Sequence, residues 1–180
     1  MKNNNKKFHI GTGTTYLPGW INVDIFSFVK ADIYSNAMSL PYERESFDMI
    51  YASHVLEHFN RHMILAVLSH WKDLLKKDGI LRLAVPNFKE VCEYYNETSD
   101  LPSLIGLLYG GQRNILDKHY IIFDETTLSD DLKKVGFKDT NIWNWRETDH
   151  AQFDDYSQAY LPAFKKDTGR LMSLNLEAKK

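Results

Sequence analysis

The chain has 180 residues, 43% of them hydrophobic, and 22 basic against 24 acidic side chains give a formal charge of −2. This composition favours one globular domain with its own core, and the balanced charge argues against nucleic acid as a partner. The single cysteine, Cys92, excludes an intrachain disulfide. The N-terminal MKNNNKK is not followed by an apolar segment, and no apolar run approaches the roughly 18 residues of a membrane span. We therefore expect a soluble, cytoplasmic protein without a signal peptide.

Seven short apolar segments predict strands. The first, FHI, is followed at once by the glycine turn GTG, and the fifth is stopped by Pro86. The last alternates apolar and polar residues, which predicts either one solvent-facing side or an antiparallel neighbour. In chain order the predicted strands are residues 8–10, 20–25, 29–33, 47–51, 80–85, 140–145 and 171–178.

Two amphipathic helices are predicted between strands. Apolar residues recur at helical spacing over residues 63–75, and Asp78-Gly79 is typical of the end of such a helix. A second helix has an apolar face over residues 128–135, and Asp124 is placed to cap its start. Strands that alternate with helices predict an α/β fold with a mostly parallel sheet.

The first connection between strands is short. Only seven residues separate Gly13 from Ile21, whereas a parallel crossover usually needs at least about 10–12 residues. The first helix is therefore predicted to be a stub of about one turn, ended early by Pro18-Gly19.

The turn Gly11-Thr12-Gly13 lies where ligands bind in such a sheet, beyond the carboxyl end of the first strand. Glycines there let a ligand approach the backbone, although without a third glycine the pattern also fits a simple tight turn. Asp24 ends the second strand, where a carboxylate can accept hydrogen bonds from both hydroxyls of a ribose. For a purine beside that ribose, Asn36 and Asp32 are rival acceptors, and the Ala37 N–H is a donor.

The order of these features resembles the class I S-adenosylmethionine-dependent methyltransferases. The matching stretches are FHIGTG, INVDI, NAMSLPYERESFDMIYASHVLEHF and LLKKDGILRLAVPNF, over roughly residues 8 to 88, with KVGFKDTNIW (134–143) resembling the segment that leads into the sixth strand. The resemblance implies a Rossmann-like seven-stranded sheet in the order 3-2-1-4-5-7-6, with strand 7 antiparallel. It also implies one methyltransferase domain over residues 1–180, with residues 88–120 and 146–168 as cap segments over the active site.

The resemblance assigns a cofactor, S-adenosylmethionine, and residues to hold it. Gly11 and Gly13, with Thr12 between them, would contact its methionine part. Ser53 or Ala52, at the end of the fourth strand, could meet the same part through the backbone. Asp24, followed by Ile25, would hold the ribose. The residues implied for the adenine are Asn36 and Ala37. Three positions depart from the family pattern, since Thr12 often is cysteine, Thr14 often is glycine and Asn36 usually is aspartate.

A narrower resemblance concerns the substrate. The stretch LPGWINVD after a truncated first helix is similar to small bacterial methyltransferases, and DDYSQAYLPAF (154–164) with GRLMSLNLEAKK resembles members associated with surface-polysaccharide biosynthesis. The expected activity is methyl transfer to a hydroxyl or amine of a small molecule, such as a sugar or glycan precursor. The alternative is a non-catalytic, methyltransferase-like module that only binds the cofactor. The oligomeric state stays open.

The stretch ASHVLEHF (52–59) contains H-x-x-E-H, which is also a zinc-hydrolase pattern. A hydrolase of this kind needs both histidines on a helix and a third ligand. The position after the fourth strand explains the stretch without metal, so no metal is predicted. Glu57 and His58 are expected to form hydrogen bonds that hold the loop, and His54 is the residue expected to face a ligand.

Candidate residues for the reaction lie mostly outside these motifs. A hydroxyl acceptor must lose its proton, and a neutral histidine is a suitable base. The catalytic candidates are His119, which precedes the second helix, and His54. The residues predicted to contact the substrate are Asn87, His150, Asp155 and Tyr156.

Overall fold

The computed structural model describes residues 6–163 and 165–180. The Asn run at residues 3–5, most of the N-terminal MKNNNKK, and Phe164 of DDYSQAYLPAF lie outside the described residues. The strands are β1 Lys7–Ile10, β2 Ile21–Asp24, β3 Ile33–Tyr34, β4 Phe47–Ser53, β5 Leu75–Pro86, β6 Lys138–Ile142, β7 Tyr160–Leu161, β8 Arg170–Leu171 and β9 Ser173–Lys179. The α-helices are α1 Ile64–Leu74, α2 Phe88–Thr98, α3 Leu101–Tyr109 and α4 Glu125–Lys134, and 3-10 turns span Leu56–His58, Trp145–Glu147 and Tyr156–Gln158.

Seven strands form one twisted sheet in the order β3-β2-β1-β4-β5-β9-β6. β1 to β5 pair in parallel, and β9 lies antiparallel between β5 and β6. Without the two strands of the small β7–β8 hairpin in the numbering, this is the order 3-2-1-4-5-7-6 with an antiparallel strand 7. The predicted Rossmann-like fold is confirmed.

The register of the central strands brings the predicted site together. Ile10, the last residue of β1, pairs with Val23 in β2 and with Ala52 in β4. Because these strands are parallel, the glycine turn, Asp24 and Ser53 all follow at the same edge of the sheet.

Helices cover one face of the sheet, and α1 and α4 pack there in the main core. The other face carries a second cluster, built from Leu17, Trp20, Tyr51, Ala84 and Trp143, and it is covered by loops. The predicted stub helix is wrong, because residues 11–20, all of them described, form turns without a helix.

The Asn22 side chain explains why the connection between β1 and β2 is stable without a helix. Its amide donates to the carbonyl oxygens of Leu17 and Trp20 at 2.9 and 3.0 Å, and its oxygen accepts from the Leu17 N–H. These bonds replace the backbone pairing that a helix would provide.

Other predicted boundaries shift. α1 ends at Leu74 and not at Asp78-Gly79, since Leu75 already pairs with Phe47 as the start of β5. The predicted strand 29–33 is reduced to β3, at the edge of the sheet. The cap of α4 is as predicted, with Asp124 and Thr127 forming a reciprocal capping box.

The remaining helices lie over the carboxyl edge on the β5 side. α2 and α3 share a small core that includes Val91, Tyr94, Leu104 and Met172. Within the described part of the chain, each helix is too short or too polar to span a bilayer.

Candidate active site

A cavity of about 400 Å³ opens at the carboxyl edge of the sheet. Three pieces of chain form it: the turn after β1, the end of β4, and the segment 154–166. The residues lining it are His9, Gly11, Thr12, Gly13, Thr14, Thr15, Ser53, His54, Asp154, Asp155, Tyr156, Gln158, Ala159, Tyr160, Ala163 and Lys166.

The two glycines of the turn have different roles. Gly11 has φ of +73°, and a Cβ there would overlap the Val55 side chain, so packing requires glycine. Gly13 has φ of +49°, and among the described residues no atom outside Gly13 and its two chain neighbours lies within 4 Å of where its Cβ would be. The backbone at Gly13 is therefore open to a ligand. Thr12 between them is buried, and its hydroxyl donates to the Val23 carbonyl at 3.0 Å.

Asp24 is fixed against this turn. Its Oδ2 accepts from the Gly13 N–H at 2.8 Å and its Oδ1 from the Phe26 N–H at 2.9 Å, and only 5% of the residue is exposed. A carboxylate has about four acceptor positions, so two stay free for a pair of hydroxyls. Asp24 and the exposed Ile25 are not among the cavity's lining residues in the described structure; they lie beside it.

The adenine candidates also lie beyond the lining residues. Asp32 Oδ2 accepts from the backbone N–H and the side-chain amide of Asn22, whereas Asp32 Oδ1 accepts only from the Tyr16 hydroxyl. Asn36 Oδ1 accepts only from the Met38 N–H at 2.9 Å and keeps a second acceptor position, while the carbonyl of Ala37 is held by Trp71 Nε1. Asp32 Oδ1 and Asn36 Oδ1 each keep one acceptor position, so both residues stay candidates for the adenine contact.

His54 sits at the end of β4 and lines the cavity, as expected. Its φ is +52°, and its Nε2 lies 3.3 Å from Ser173 Oγ. The ring of Tyr156 lies beside it, with 5.3 Å between ring centroids. The adjacent Ser53 Oγ is buried and has no hydrogen-bond partner among the described residues, so a polar ligand group can pair with it.

The other two members of H-x-x-E-H, Glu57 and His58, are not lining residues of the cavity in the described structure. His54 has left-handed backbone and Leu56–His58 is a 3-10 turn, so the motif does not lie on the continuous helix of a zinc hydrolase. Glu57 is fully buried. Its Oε1 lies 3.1 Å from His54 Nδ1 and 3.9 Å from His119 Nε2. Burial raises the pKa of the Glu57 carboxyl, but the nearby histidines, His54 first, outweigh burial and bring its pKa below the ordinary value.

His119 faces this buried carboxylate. Its Nδ1 lies 2.9 Å from the Leu107 carbonyl oxygen, and burial lowers the pKa of its ring. In the described structure it does not contribute to the cavity lining.

Two of the four residues predicted to contact the substrate line the cavity, and the other two are not among its described lining residues. Asp155 and Tyr156 line the cavity, with Asp155 Oδ2 accepting from the Tyr51 hydroxyl at 2.6 Å and Tyr156 61% exposed. Asn87 begins α2 at the same edge of the sheet but is not a lining residue. His150 is buried at 3% exposure against aromatic rings of the second cluster, and burial lowers its pKa.

Sequence reasoning missed part of the cavity wall. Lys166 lines it and donates to Gln158 Oε1 at 2.6 Å and to Asp154 at 2.8 Å. The polar side of β9 was also missed: Ser173 and Asn175 are each 3% exposed and hydrogen-bond each other behind His54. The predicted antiparallel neighbour of this strand was the available signal. A strand paired on both sides, as β9 is, can bury its polar face as well as its apolar face.

A family model described as a methyltransferase domain matches residues 9–142. A search of curated protein sequences finds no significant match.

Several solved structures with the same fold are described as S-adenosylmethionine-dependent methyltransferases. One from Archaeoglobus fulgidus has 19% identity and a TM-score of 0.61, covering 99% of this chain and 87% of its own. One from Thermotoga maritima has 15% identity and a TM-score of 0.62, covering 97% and 82%. The 1,6-didemethyltoxoflavin-N1-methyltransferase of Burkholderia thailandensis, solved with its substrate and S-adenosylhomocysteine, has 16% identity and a TM-score of 0.58, covering 97% and 70%.

Proposed function

Because the chain belongs to the methyltransferase-domain family and has the fold of its S-adenosylmethionine-dependent members, we propose that it methylates a hydroxyl or amine of a small molecule. The acceptor class we propose is a sugar or glycan precursor. The observation that carries the proposal is the Gly13–Asp24 hydrogen bond, which holds a carboxylate against an open glycine backbone at the edge of a cavity.

The residues present fit the cofactor. Free acceptor positions on Asp24 suit the ribose hydroxyls, and the second acceptor position of Asn36 suits the adenine amine. The open backbone at Gly13 and the unpartnered Ser53 Oγ suit the methionine part. S-adenosylmethionine, when bound, supplies a methyl group on a sulfonium for in-line displacement.

The acceptor would occupy the other half of the cavity, under segment 154–166. The exposed Tyr156 ring offers a flat apolar surface to a sugar, and Asp155 and Lys166 offer charged hydrogen-bond partners. These residues fall within 146–168, which supports that segment as a cap. The residues of 88–120 are absent from the described lining, so a cap role for them depends on movement.

For a hydroxyl acceptor, His54 is the base that the cavity supports best. It lines the cavity, and its Nδ1 faces the Glu57 carboxylate, which can hold the ring. Nε2 lies 3.3 Å from Ser173 Oγ and must exchange that contact for the acceptor before it takes the proton. His119, the other candidate, faces the same carboxylate from the far side and would need to rearrange to reach an acceptor. An amine acceptor needs no base if it arrives unprotonated.

The experiment has two stages. Calorimetry measures binding of S-adenosylmethionine to the purified chain, and radiolabelled S-adenosylmethionine then measures methyl transfer to a panel of sugar nucleotides, glycan fragments and small amines. We expect binding and turnover with a sugar-containing acceptor. Binding without turnover on any member would favour the non-catalytic module, and turnover confined to the amines would contradict the sugar class.

A further inference from the structure

Two imidazoles and a carboxylate meet beside the cavity, and the proposed methyl transfer does not explain why all three come together. Glu57 and His58 come from the 3-10 turn after β4, and His119 comes from the coil before α4. One ligand-type atom from each lies within 4.8 Å of the other two. The chain holds the pieces together, since the Tyr120 N–H donates to the Glu57 carbonyl at 2.8 Å.

Both imidazoles are oriented in the same way. His58 Nδ1 lies 3.0 Å from the Lys118 carbonyl oxygen, and His119 Nδ1 lies 2.9 Å from the Leu107 carbonyl oxygen. A carbonyl oxygen only accepts, so each Nδ1 must carry the hydrogen. In the neutral ring this leaves Nε2 with a free lone pair. Metal-binding histidines are held in this manner, by a hydrogen bond from the other ring nitrogen to a carbonyl or carboxylate.

The carboxylate completes the arrangement. Glu57 has 0% exposure, and among the described residues neither of its oxygens has a hydrogen-bond partner of good geometry. His119 Nε2 faces Oε1 at 3.9 Å, so with a neutral ring two electron-pair donors oppose each other. His54 Nδ1, 3.1 Å from Oε1, offsets part of the cost of burying this carboxylate, and a cation between Glu57 and the two Nε2 atoms would offset more of it.

We propose that Glu57, His58 and His119 bind a divalent transition-metal cation of the Zn²⁺ type. Two imidazoles and one carboxylate suit Zn²⁺ and Co²⁺ better than Mg²⁺, which prefers oxygen ligands. Three protein ligands leave a further position for water or for a ligand. This site differs from the H-x-x-E-H pattern, since His119 takes the place of His54.

The fold around His119 supports a site formed before the metal binds. Gly110 has φ of +75°, and a Cβ there would lie 2.6 Å from the Asp117 carbonyl and 3.0 Å from the His119 ring. His119 N–H also donates to the Tyr109 carbonyl. The imidazole is therefore held from α3 as well as from its own segment. The site does not depend on the proposed methyl transfer, although His54 links it to the cavity wall.

The test titrates tag-free protein, stripped of metal by a chelator, with Co²⁺ and Zn²⁺. We expect saturable binding of one ion per chain, with Co²⁺ giving visible absorption bands typical of low coordination. Glu57→Gln and His119→Asn should each weaken binding at least about tenfold, or about 1.4 kcal/mol. His62→Asn, which changes an exposed histidine outside the site, should bind as the wild type does. Wild-type protein without saturable Co²⁺ or Zn²⁺ binding would overturn the proposal whether or not the variants fold.

Crystals soaked in Zn²⁺ supply a second measurement that needs no variant. An anomalous-scattering peak between Glu57, His58 and His119 supports the site, and occupancy only at other residues refutes it. S-adenosylmethionine affinity measured on the same metal-free sample reports on the proposed function separately. Loss of cofactor binding with intact Co²⁺ binding, or the reverse, shows which proposal has failed.

Discussion

The Gly13 N–H donates a 2.8 Å hydrogen bond to Asp24 Oδ2, so the turn after β1 and the end of β2 form one rigid unit. The bond fixes the carboxylate before any ligand arrives, and it leaves the Gly13 backbone open on the other side. Preorganisation of this kind reduces the ordering cost of binding. Cofactor affinity should therefore depend on both residues.

Gly13→Ala tests the open backbone. At positive φ an alanine costs roughly 1–2 kcal/mol, and its Cβ would enter the space left for the cofactor. We expect S-adenosylmethionine affinity to fall at least about tenfold by calorimetry. Gly19→Ala is the matched control, since Gly19 has φ of +82°, is open around its Cβ position among the described residues, and lies away from the cavity. Equal affinity loss in both variants would show that strain, and not contact, is responsible.

His54→Asn tests the base. Asparagine tolerates the left-handed backbone at this position better than most residues, so the fold should survive. With a hydroxyl acceptor we expect kcat to fall by about 10²–10⁴-fold while S-adenosylmethionine affinity is retained. Single-turnover transfer of a radiolabelled methyl group measures the step. An undiminished rate on a hydroxyl acceptor would remove His54 from the chemistry.

Stability should decrease in mild acid. Burial lowers the pKa of His9, against a hydrogen bond to Asn22 and the charge of Asp155, which raise it. A histidine in the unfolded chain has a pKa near ~6.5, whereas the pKa of His9 in the folded chain is lower. At a pH near or below ~6.5 the unfolded chain therefore binds this proton more readily than the folded chain does. The stabilisation is therefore complete above that pH and is lost as the pH falls below it. His150, whose pKa burial also lowers, contributes in the same direction.

Thermal unfolding between about pH 8 and pH 5 measures this effect. The midpoint should fall with pH in the wild type and less steeply in His9→Gln. His62→Gln, at an exposed position, should keep the wild-type slope. A midpoint that is flat or rises toward pH 5 would be inconsistent with buried, neutral histidines.

Asp124→Ala should destabilise the start of α4. Asp124 Oδ1 accepts from the Thr127 N–H at 2.8 Å, and the Asp124 N–H donates to the Thr127 hydroxyl at 3.2 Å. Loss of such a cap costs about 0.5–2 kcal/mol, which urea unfolding can resolve. Asp130→Ala removes the same charge from the exposed side of α4 and should change stability much less.

Local patterns were sufficient for most of the strands and helices, whereas the order of the strands in the sheet was predicted from the family resemblance. The apolar segments that became β1, β4 and β5, the helical periodicity of α1 and the Asp124 cap are all encoded within a few residues. The predictions of helix bounds failed where hydrogen bonds or strand pairing between separate segments determine the structure. Asn22 holds the connection before β2 without a helix, and pairing of Leu75 with Phe47 ends α1 early.

The site was predictable where it follows strand ends and unpredictable where it depends on distant segments. Gly13 follows β1, and Asp24 and Ser53 end β2 and β4, so parallel pairing of these neighbouring strands brings the three residues to one edge. His119 approaches Glu57 from 62 positions further along the chain, and His150 enters a cluster with Trp20, Tyr51 and Trp143 from separate elements. The spacing of residues within a short stretch of sequence cannot predict contacts between segments so far apart in the chain.

The most direct measurement is the affinity of Asp24→Asn for S-adenosylmethionine. The amide keeps the side chain's size and one acceptor oxygen but removes the charge and half of the acceptor positions for the ribose. We expect a folded protein whose Kd by calorimetry rises at least about tenfold, about 1.4 kcal/mol, while Asp130→Asn binds as the wild type does. A folded Asp24→Asn protein with wild-type affinity would contradict the central claim that this carboxylate holds the cofactor.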